Sequence, residues 1–220
     1  DGKVVYFAGN ILFKTTDWGK TWTAISPDLS KNDKSRQGDA GGPILKENTV
    51  AEYYGTIFSI EESPVKAGVI WVGTDDGSVQ VTQDGGKTWT NVTGNIPGVG
   101  SDAVISAVEP SHAAAGTAYV GVERRMMDDL KPYVFKTTDF GKTWTNITGN
   151  IPANAYVQVV REDPKNHNLV YVGTELGLFA NWNGGTGDWT KLHLGNLPNV
   201  AVQDRKSTRL NSSHEWISRM

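Results

Sequence analysis

KTTDWGKTWTAIS (Lys14–Ser26), VTQDGGKTWTNVT (Val81–Thr93) and KTTDFGKTWTNIT (Lys136–Thr148) are three copies of one pattern, Thr-x-Asp-x-Gly-Lys-Thr-Trp. A fourth copy, NWNGGTGDWTKL (Asn181–Leu192), is degenerate, with Asn183 in place of the aspartate and one extra residue before Trp189. Upstream of each copy lies a β-branched, aromatic element: VVYFAG (Val4–Gly9), VIWVGT (Val69–Thr74), TAYVGV (Thr117–Val122) and LVYVGT (Leu169–Thr174). Earlier still come IFSIEESP (Ile57–Pro64), VISAVEPS (Val104–Ser111) and VQVVREDP (Val157–Pro164). TGNIP follows at Thr93–Pro97 and Thr148–Pro152, and LGNLP at Leu194–Pro198.

Each element is short and bounded by Gly, Pro, Asn or Asp, which reads as a strand between tight turns. Four such strands make an antiparallel meander that cannot bury both faces alone, so neighbouring units must stack on it. Four strands recurring at a period of roughly 50 residues is the β-propeller pattern. The predicted fold is therefore all-β, an incomplete β-propeller of four-stranded antiparallel blades with the aspartate hairpin between strands 3 and 4. Residues 1–203 form the partial propeller. A partial blade covers Asp1–Ser26 without its first strand, and full blades cover Gly55–Thr93, Asp102–Thr148 and Ala155–Leu194. Asn199–Gln203 (NVAVQ) is expected to open the next blade. Three blades and fragments fall short of a ring of about four to eight, so truncation at both ends is expected.

Within the repeat the side chains divide the work. Asp17, Asp84 and Asp139 can accept backbone N–H bonds and hold the turn. Gly19, Gly86 and Gly141 suit positive φ. Trp22, Trp89, Trp144 and Trp189 begin the outer strand and offer an apolar wedge between blades. Recurrence in every blade argues for a structural role, since catalysis needs one unique constellation.

Bulk composition fits this reading. The chain has 220 residues, 38% of them hydrophobic, with 25 glycines and a net charge of −3. That balance, with no basic stripe, argues against nucleic acid as a partner. No apolar run is long enough for a membrane span, and without cysteine there are no disulfides or thiolate metal sites. His112, His167, His193 and His214 lack metal-ligand spacing, and neither a metal nor a cofactor is expected. The last stretch, DRKSTRLNSSHEWISRM (Asp204–Met220), has no apolar period and no relation to the repeats. Its first part, Asp204–His214, is the literal translation of a common sequencing adapter, so 204–220 reads as an adapter-derived, unstructured tail.

The repeated hairpins resemble the Asp-box, or bacterial neuraminidase, repeat across nearly all of Asp1–Gln203. The wording around them (GGPI, AEYYGTIFSIEESP, VIWVGTDDG, KPYVFKTTDFGKTW, VREDP) is similar to large secreted bacterial proteins of the sortilin-like type, loosely described as glycosyl hydrolases with such repeats. The resemblance implies an extracellular or periplasmic propeller that binds a peptide, a protein or a glycan. The alternative it carries is a glycoside hydrolase of the xyloglucanase or sialidase-like Asp-box type. A sialidase would need an arginine triad at the axis; here Arg36, Arg124 and Arg125 fall in loops, and the Phe/Tyr-Arg-Ile-Pro element of sialidases is absent.

Topology locates the candidate site. In an up-down meander the 2–3 loops and the 4–1 crossovers share the face opposite the aspartate hairpins. The longest insertions, Pro27–Tyr54 and Glu123–Pro132, belong to that face, where binding usually resides. Asp75, Glu123 and Glu175 follow Val-Gly at equivalent positions and are the catalytic candidates for glycoside cleavage. As a repeated acid they read first as turn chemistry. Tyr53, Tyr54, Asp76, Arg124 and Arg125 are the binding candidates.

Overall fold

The computed structural model describes residues 4–38, 54–100, 102–193, 195 and 200–203. They fold into four antiparallel sheets in chain order. The first has three strands, β1 (Val5–Ala8), β2 (Leu12–Thr15) and β3 (Thr23–Ala24). The second comprises β4 (Ile57–Glu62), β5 (Ile70–Thr74), β6 (Val79–Thr82) and β7 (Thr90–Asn91). The third comprises β8 (Val104–Pro110), β9 (Ala118–Arg124), β10 (Asp129–Thr137) and β11 (Thr145–Asn146). The fourth comprises β12 (Val157–Glu162), β13 (Val170–Thr174), β14 (Gly177–Asn181) and β15 (Thr190–Lys191). Every strand pairs with its sequence neighbour, and no α-helix occurs among the described residues. These are consecutive blades of a β-propeller.

The core lies between blades. One cluster joins Trp71, Val79 and Val81 of the second blade to Ile105, Val120 and Phe135 of the third. Another joins Tyr119 and Val134 of the third to Val157, Val172 and Phe179 of the fourth. Strands covered on both faces need apolar residues at every position rather than alternation. β5 (IWVGT) and β6 (VQVT) are accordingly buried throughout, whereas the outer strand β7 is exposed.

Close stacking depends on two sets of glycines. A Cβ on Gly73 would lie 2.3 Å from Cγ2 of Ile105 in the next blade, and one on Gly121 would lie 2.9 Å from Cγ1 of Val157. At the hairpins the contact runs to the preceding blade. A Cβ on Gly86 would meet the Ile25 carbonyl oxygen at 2.4 Å, on Gly141 the Val92 Cβ at 2.8 Å, and on Gly185 the Ile147 Cδ1 at 2.5 Å.

The hairpins share one hydrogen-bond plan. Thr15 donates its hydroxyl to Asp17 (2.7 Å) and accepts from the Gly19 amide (3.0 Å), while the Thr21 amide and hydroxyl donate to the same carboxylate (2.9 and 2.7 Å). Thr82, Asp84, Gly86 and Thr88 repeat the plan, as do Thr137, Asp139, Gly141 and Thr143. The turn takes two successive left-handed residues: Trp18-Gly19, Gly85-Gly86 and Phe140-Gly141. The non-glycine members are tolerated because the threonine and aspartate clamp the backbone from both sides.

Four expectations need correction. In the fourth hairpin Asn181, not Asn183, is the fastener. Its Oδ1 accepts from the Asn183 and Gly185 amides (both 2.8 Å), and its Nδ2 donates to the Thr186 and Asp188 carbonyls (3.1 and 2.9 Å). An amide can replace the threonine hydroxyl and also span the extra residue because it both donates and accepts. Second, the tryptophan wedge is uneven. Nε1 of Trp89 donates to Ile25 O (2.9 Å) and that of Trp189 to Ile147 O (2.8 Å), each in the preceding blade. Trp144 instead meets Trp71 edge-on at 6.0 Å, and Trp22 is 43% exposed against Phe7. Third, Glu123–Pro132 is no long loop. β9 and β10 extend into a hairpin closed by a short 3-10 turn at Arg125–Met127 and by Asp129, which accepts from Arg124 (3.0 Å) and the Tyr133 hydroxyl (2.7 Å). Fourth, residues 200–203 form no strand, although the Val202 amide donates to Thr174 O (3.0 Å). Asn199 and the tail 204–220 lie outside the described residues.

Gly73→Val should destabilise the chain by about 1–3 kcal/mol or more through overpacking, whereas Gly9→Ala, where a Cβ meets nothing within 4 Å, should be close to neutral; thermal denaturation of both variants checks this. The hairpin carboxyls give a second expectation. Hydrogen bonds from the threonines hold Asp17, Asp84 and Asp139 down at about 2, below the usual value of about 3.9 in an unfolded chain. Because the folded value is the lower one, their stabilisation is full above about pH 4 and is lost as pH falls toward 2. A triple Asp→Asn variant should therefore melt lower at neutral pH and lose less stability on acidification; parallel pH–Tm curves would count against it.

Candidate functional site

The insertion after the first blade is tethered from its start. Leu29 is fully buried, its amide donates to Asn10 O (3.0 Å), and its carbonyl accepts from Gln80 Nε2 in the second blade (2.5 Å). The Lys31 amide then donates to Asp76 (2.6 Å). A 3-10 turn at Lys34–Arg36, capped by Asp33, carries Arg36 to an ion pair with Asp102 (2.6 Å) at the entry to the third blade. Arg36 also lies over the Tyr54 ring at 5.4 Å. The insertion thus straps three blades together on the face bearing the 2–3 hairpin tips. Tyr53 lies outside the described residues.

Two adjoining cavities open there, both lined by Glu123 and Arg125. One, of about 340 Å³, runs between Tyr54, Asp75, Asp102 and the exposed Met126 and Met127. The other, of about 490 Å³, lies against the inner strands and includes Phe58, Ser106, Gln158 and Gln203.

The three catalytic candidates share a register position but not an environment. Asp75 accepts from the Gly55 and Thr56 amides (2.9 and 2.7 Å) and the Thr56 hydroxyl (2.9 Å), so its carboxylate holds the entry to β4. Glu175 accepts from the Tyr156 hydroxyl (2.7 Å) and Gln158 Nε2 (3.0 Å). Glu123 is largely buried and pairs with Arg125. Burial holds its carboxyl above the ordinary range, Arg125 opposes that, and the nearby Glu175 adds to it. Arg125 in turn lies over the Tyr156 ring at 5.7 Å. Glu123, Arg125, Tyr156, Gln158 and Glu175 therefore form one polar network from two blades, and Asp75 stands outside it. Tyr156 lies outside the repeated elements and Gln158 falls at a position that differs between copies, so the repeat pattern points to neither.

The binding candidates divide likewise. Asp76, fully buried, accepts from the Thr74 hydroxyl and the Lys31 amide and is structural. Arg124 is held by Asp129. Tyr54 and Arg125 line the cavities. Among the described residues no group of three or more histidines or acids is placed to hold a metal ion.

The opposite face carries repeated acids that the sequence reading passed over. Glu62 and Glu162 occupy the same register, opposite Ile70 and Val170, and Glu109 stands one position earlier, opposite Tyr119. Glu62 accepts from the Tyr6 hydroxyl of the preceding blade (2.9 Å), and Glu162 from the Ser111 hydroxyl (3.0 Å) and His112 amide (2.7 Å) of the preceding blade. Glu109 accepts from Arg161 of the following blade (3.0 Å). A Glu two residues before, or next to, proline in all three copies was the available signal.

No known family's profile matches the chain. Two curated proteins are similar over part of it. The probable oligoxyloglucan-reducing end-specific xyloglucanase of Neosartorya fischeri is 37% identical over 92 residues, 40% of this chain and 10% of that protein. The oligoxyloglucan-reducing end-specific xyloglucanase of Emericella nidulans is 27% identical over 110 residues, 50% of this chain and 13% of that protein. The aligned part is thus only about a tenth of each relative. Among solved structures, an ancestral GH74 enzyme matches 87% of this chain and 23% of its own with a TM-score of 0.62 at 19% identity. The extracellular domain of a one component system of B. thetaiotaomicron matches 91% of this chain and 22% of its own with a TM-score of 0.55 at 14% identity. Likeness at this identity establishes the β-propeller fold.

Asp75→Ala would orphan two backbone amides and should cost about 1–3 kcal/mol, with Asp75→Asn retaining part of the loss because one oxygen still accepts both; urea denaturation of the pair measures it.

Proposed function

We propose that this chain is a ligand-binding segment of a secreted Asp-box β-propeller of the sortilin-like type, and that the ligand it takes on its loop face is a glycan. The observation that carries the reading is the pair of adjoining cavities sharing Glu123 and Arg125. Around them stand a tyrosine ring at Tyr54, the Tyr156–Glu175–Gln158 hydrogen-bond network and the Arg125 guanidinium. Sugars are bound by such sets: planar side chains cover the ring faces while amides, carboxylates and guanidinium groups meet the hydroxyls. The named activity of the two curated relatives, directed at xyloglucan oligosaccharides, points to the same ligand class. An extracellular location accords with the B. thetaiotaomicron neighbour, and no helix among the described residues is long and apolar enough to cross a membrane.

Glycoside hydrolysis is the second reading, favoured by one observation. Burial keeps the Glu123 carboxyl above its ordinary range, as a general acid requires, and a second carboxylate, Glu175, is close enough to contribute. Asp75 is not carried forward as a catalytic residue, because its lone pairs hold the β4 backbone.

Calorimetry with xyloglucan oligosaccharides, run beside an assay for new reducing ends, separates the readings. Binding without turnover is expected, weakened about tenfold, equivalent to about 1.4 kcal/mol, by Arg125→Ala. Release of reducing ends that vanishes in Glu123→Gln would replace binding by catalysis, and no heat with any oligosaccharide would refute both.

A further inference from the structure

The inner strands β4, β8 and β12 each carry one residue more than their partner strand matches. β4 pairs Ile57 with Thr74 and Ser59 with Gly73, which leaves Phe58 between them as the extra residue. In β8 the extra residue is Ser106, between Ile105↔Val122 and Ala107↔Gly121, and in β12 it is Gln158, between Val157↔Thr174 and Val159↔Gly173. These are β-bulges at one equivalent position. Their trace shows in the core. Side chains of a regular strand alternate, so residues three apart face opposite ways. Yet Ile57 and Ile60 pack on one cluster, Ile105 and Val108 lie in a second, and Val157 and Val160 lie in a third. The inserted residue is what returns each strand to its core face.

The fold fixes the place of this residue and leaves its identity open. In every copy the residue after it pairs with a glycine of the next strand, Gly73, Gly121 or Gly173, so the bulge belongs to the stacking plan of the blades. The bulge residues themselves, Phe58, Ser106 and Gln158, share neither size nor chemistry, so packing does not select them. All three line one cavity, the one that lies against the inner strands and includes Glu123 and Arg125. Bulges recur beside active sites because they re-aim a side chain.

We infer that the bulge is the position at which each blade reads the ligand, and that Phe58 and Ser106 determine specificity beside Gln158; this rests on the glycan reading above and assigns its contacts. An oligosaccharide lying over the inner strands passes an aromatic face, a hydroxyl and an amide in the order of the blades. The Phe58 ring covers the apolar face of a sugar unit. The Ser106 hydroxyl is buried beside Gly121 without a hydrogen-bond partner among the described residues. Rotation about its one side-chain torsion turns it to the cavity, where a ligand hydroxyl satisfies it. Gln158 donates through Nε2 to Glu175 (3.0 Å), and its carbonyl oxygen accepts from a ligand hydroxyl.

Calorimetry of the full chain tests this, with xyloglucan oligosaccharides and unbranched cello-oligosaccharides as the two probes and thermal denaturation of each variant alongside. Phe58→Ala is expected to weaken binding of the xyloglucan oligosaccharides about tenfold, equivalent to about 1.4 kcal/mol, at an unchanged melting temperature, and Phe58→Tyr to keep the original affinity. Ser106→Ala is expected to shift the ratio of the two dissociation constants, which a residue with only a structural role would leave alone. Should Phe58→Ala melt early, Phe58→Leu, which keeps apolar volume and loses the ring, decides in its place. If Arg125→Ala weakens binding while the Phe58 and Ser106 variants bind both probes as the unaltered chain does, the inference is overturned and the glycan reading stands. If the unaltered chain binds neither probe, both are overturned.

Discussion

Blade-to-blade approach at glycine is the constraint on which the fold rests. Sheets packed through ordinary side chains stand about 10 Å apart, but here the Ile105 and Val157 side chains enter the space where a Cβ of Gly73 or Gly121 would be. Dispersion gain per atom pair is small and falls quickly with separation, so such close seating binds one meander to the next. The hairpin glycines repeat the device at the outer edge. Gly86 and Gly141 therefore serve two ends: a left-handed turn and a seat for Ile25 or Val92. Either demand alone would admit some substitution, as Trp18 and Phe140 show by taking positive φ. The two together admit only glycine.

Polar latches complete each junction. Tryptophan indoles donate backward from the hairpin, and Asn95 Nδ2 donates forward to Gly141 O (2.8 Å) while Asn150 Oδ1 accepts from the Trp189 amide (2.6 Å). The recurrent Thr-Gly-Asn-Ile-Pro is thus a junction element, with Ile96 and Ile151 buried and the asparagines tied to the next hairpin. On the turn face Glu62 and Glu162 accept from the preceding blade. Buried carboxylates are costly unless hydrogen-bonded, and the buried Glu162 takes bonds from Ser111 and His112 of the preceding blade, which couples blade order to blade contact.

What the sequence disclosed follows the range of the interactions. The aspartate hairpin is closed by bonds within five residues, so its Thr, Asp, Gly and Trp spacing is readable along the chain. Strand order and the shared loop face follow from the meander. Interactions that cross a junction leave only a lone residue in each copy, which is why Glu62, Glu109 and Glu162 passed unnoticed. The shift of the fastening role to Asn181 was hidden for another reason: an amide matches the threonine by function and not by type. The long β9–β10 hairpin was masked by Arg124 and Asp129, whose cross-strand pair makes a polar stretch extend the ladder. The Tyr156–Glu175 contact was invisible because Tyr156 lies outside any repeated element.

The three equivalent acids show how one repeat position can take different surroundings. Asp75, Glu123 and Glu175 descend from one position of the meander, and repetition alone would give them one role. Their surroundings differ because the neighbouring crossovers differ. The short approach through Gly55 and Thr56 offers two amides to Asp75, and a carboxylate so engaged is part of the backbone scaffold. At Glu123 the extended hairpin bends Arg125 back over the acid, and at Glu175 the neighbouring crossover supplies Tyr156 instead of free amides. Glu123 is thereby left facing both cavities, and Glu175 is engaged by the Tyr156 and Gln158 side chains instead of by the main chain. A repeat position is freed from the duty it performs at Asp75 where the neighbouring crossover varies, and in this chain that release falls at the junction of the third and fourth blades.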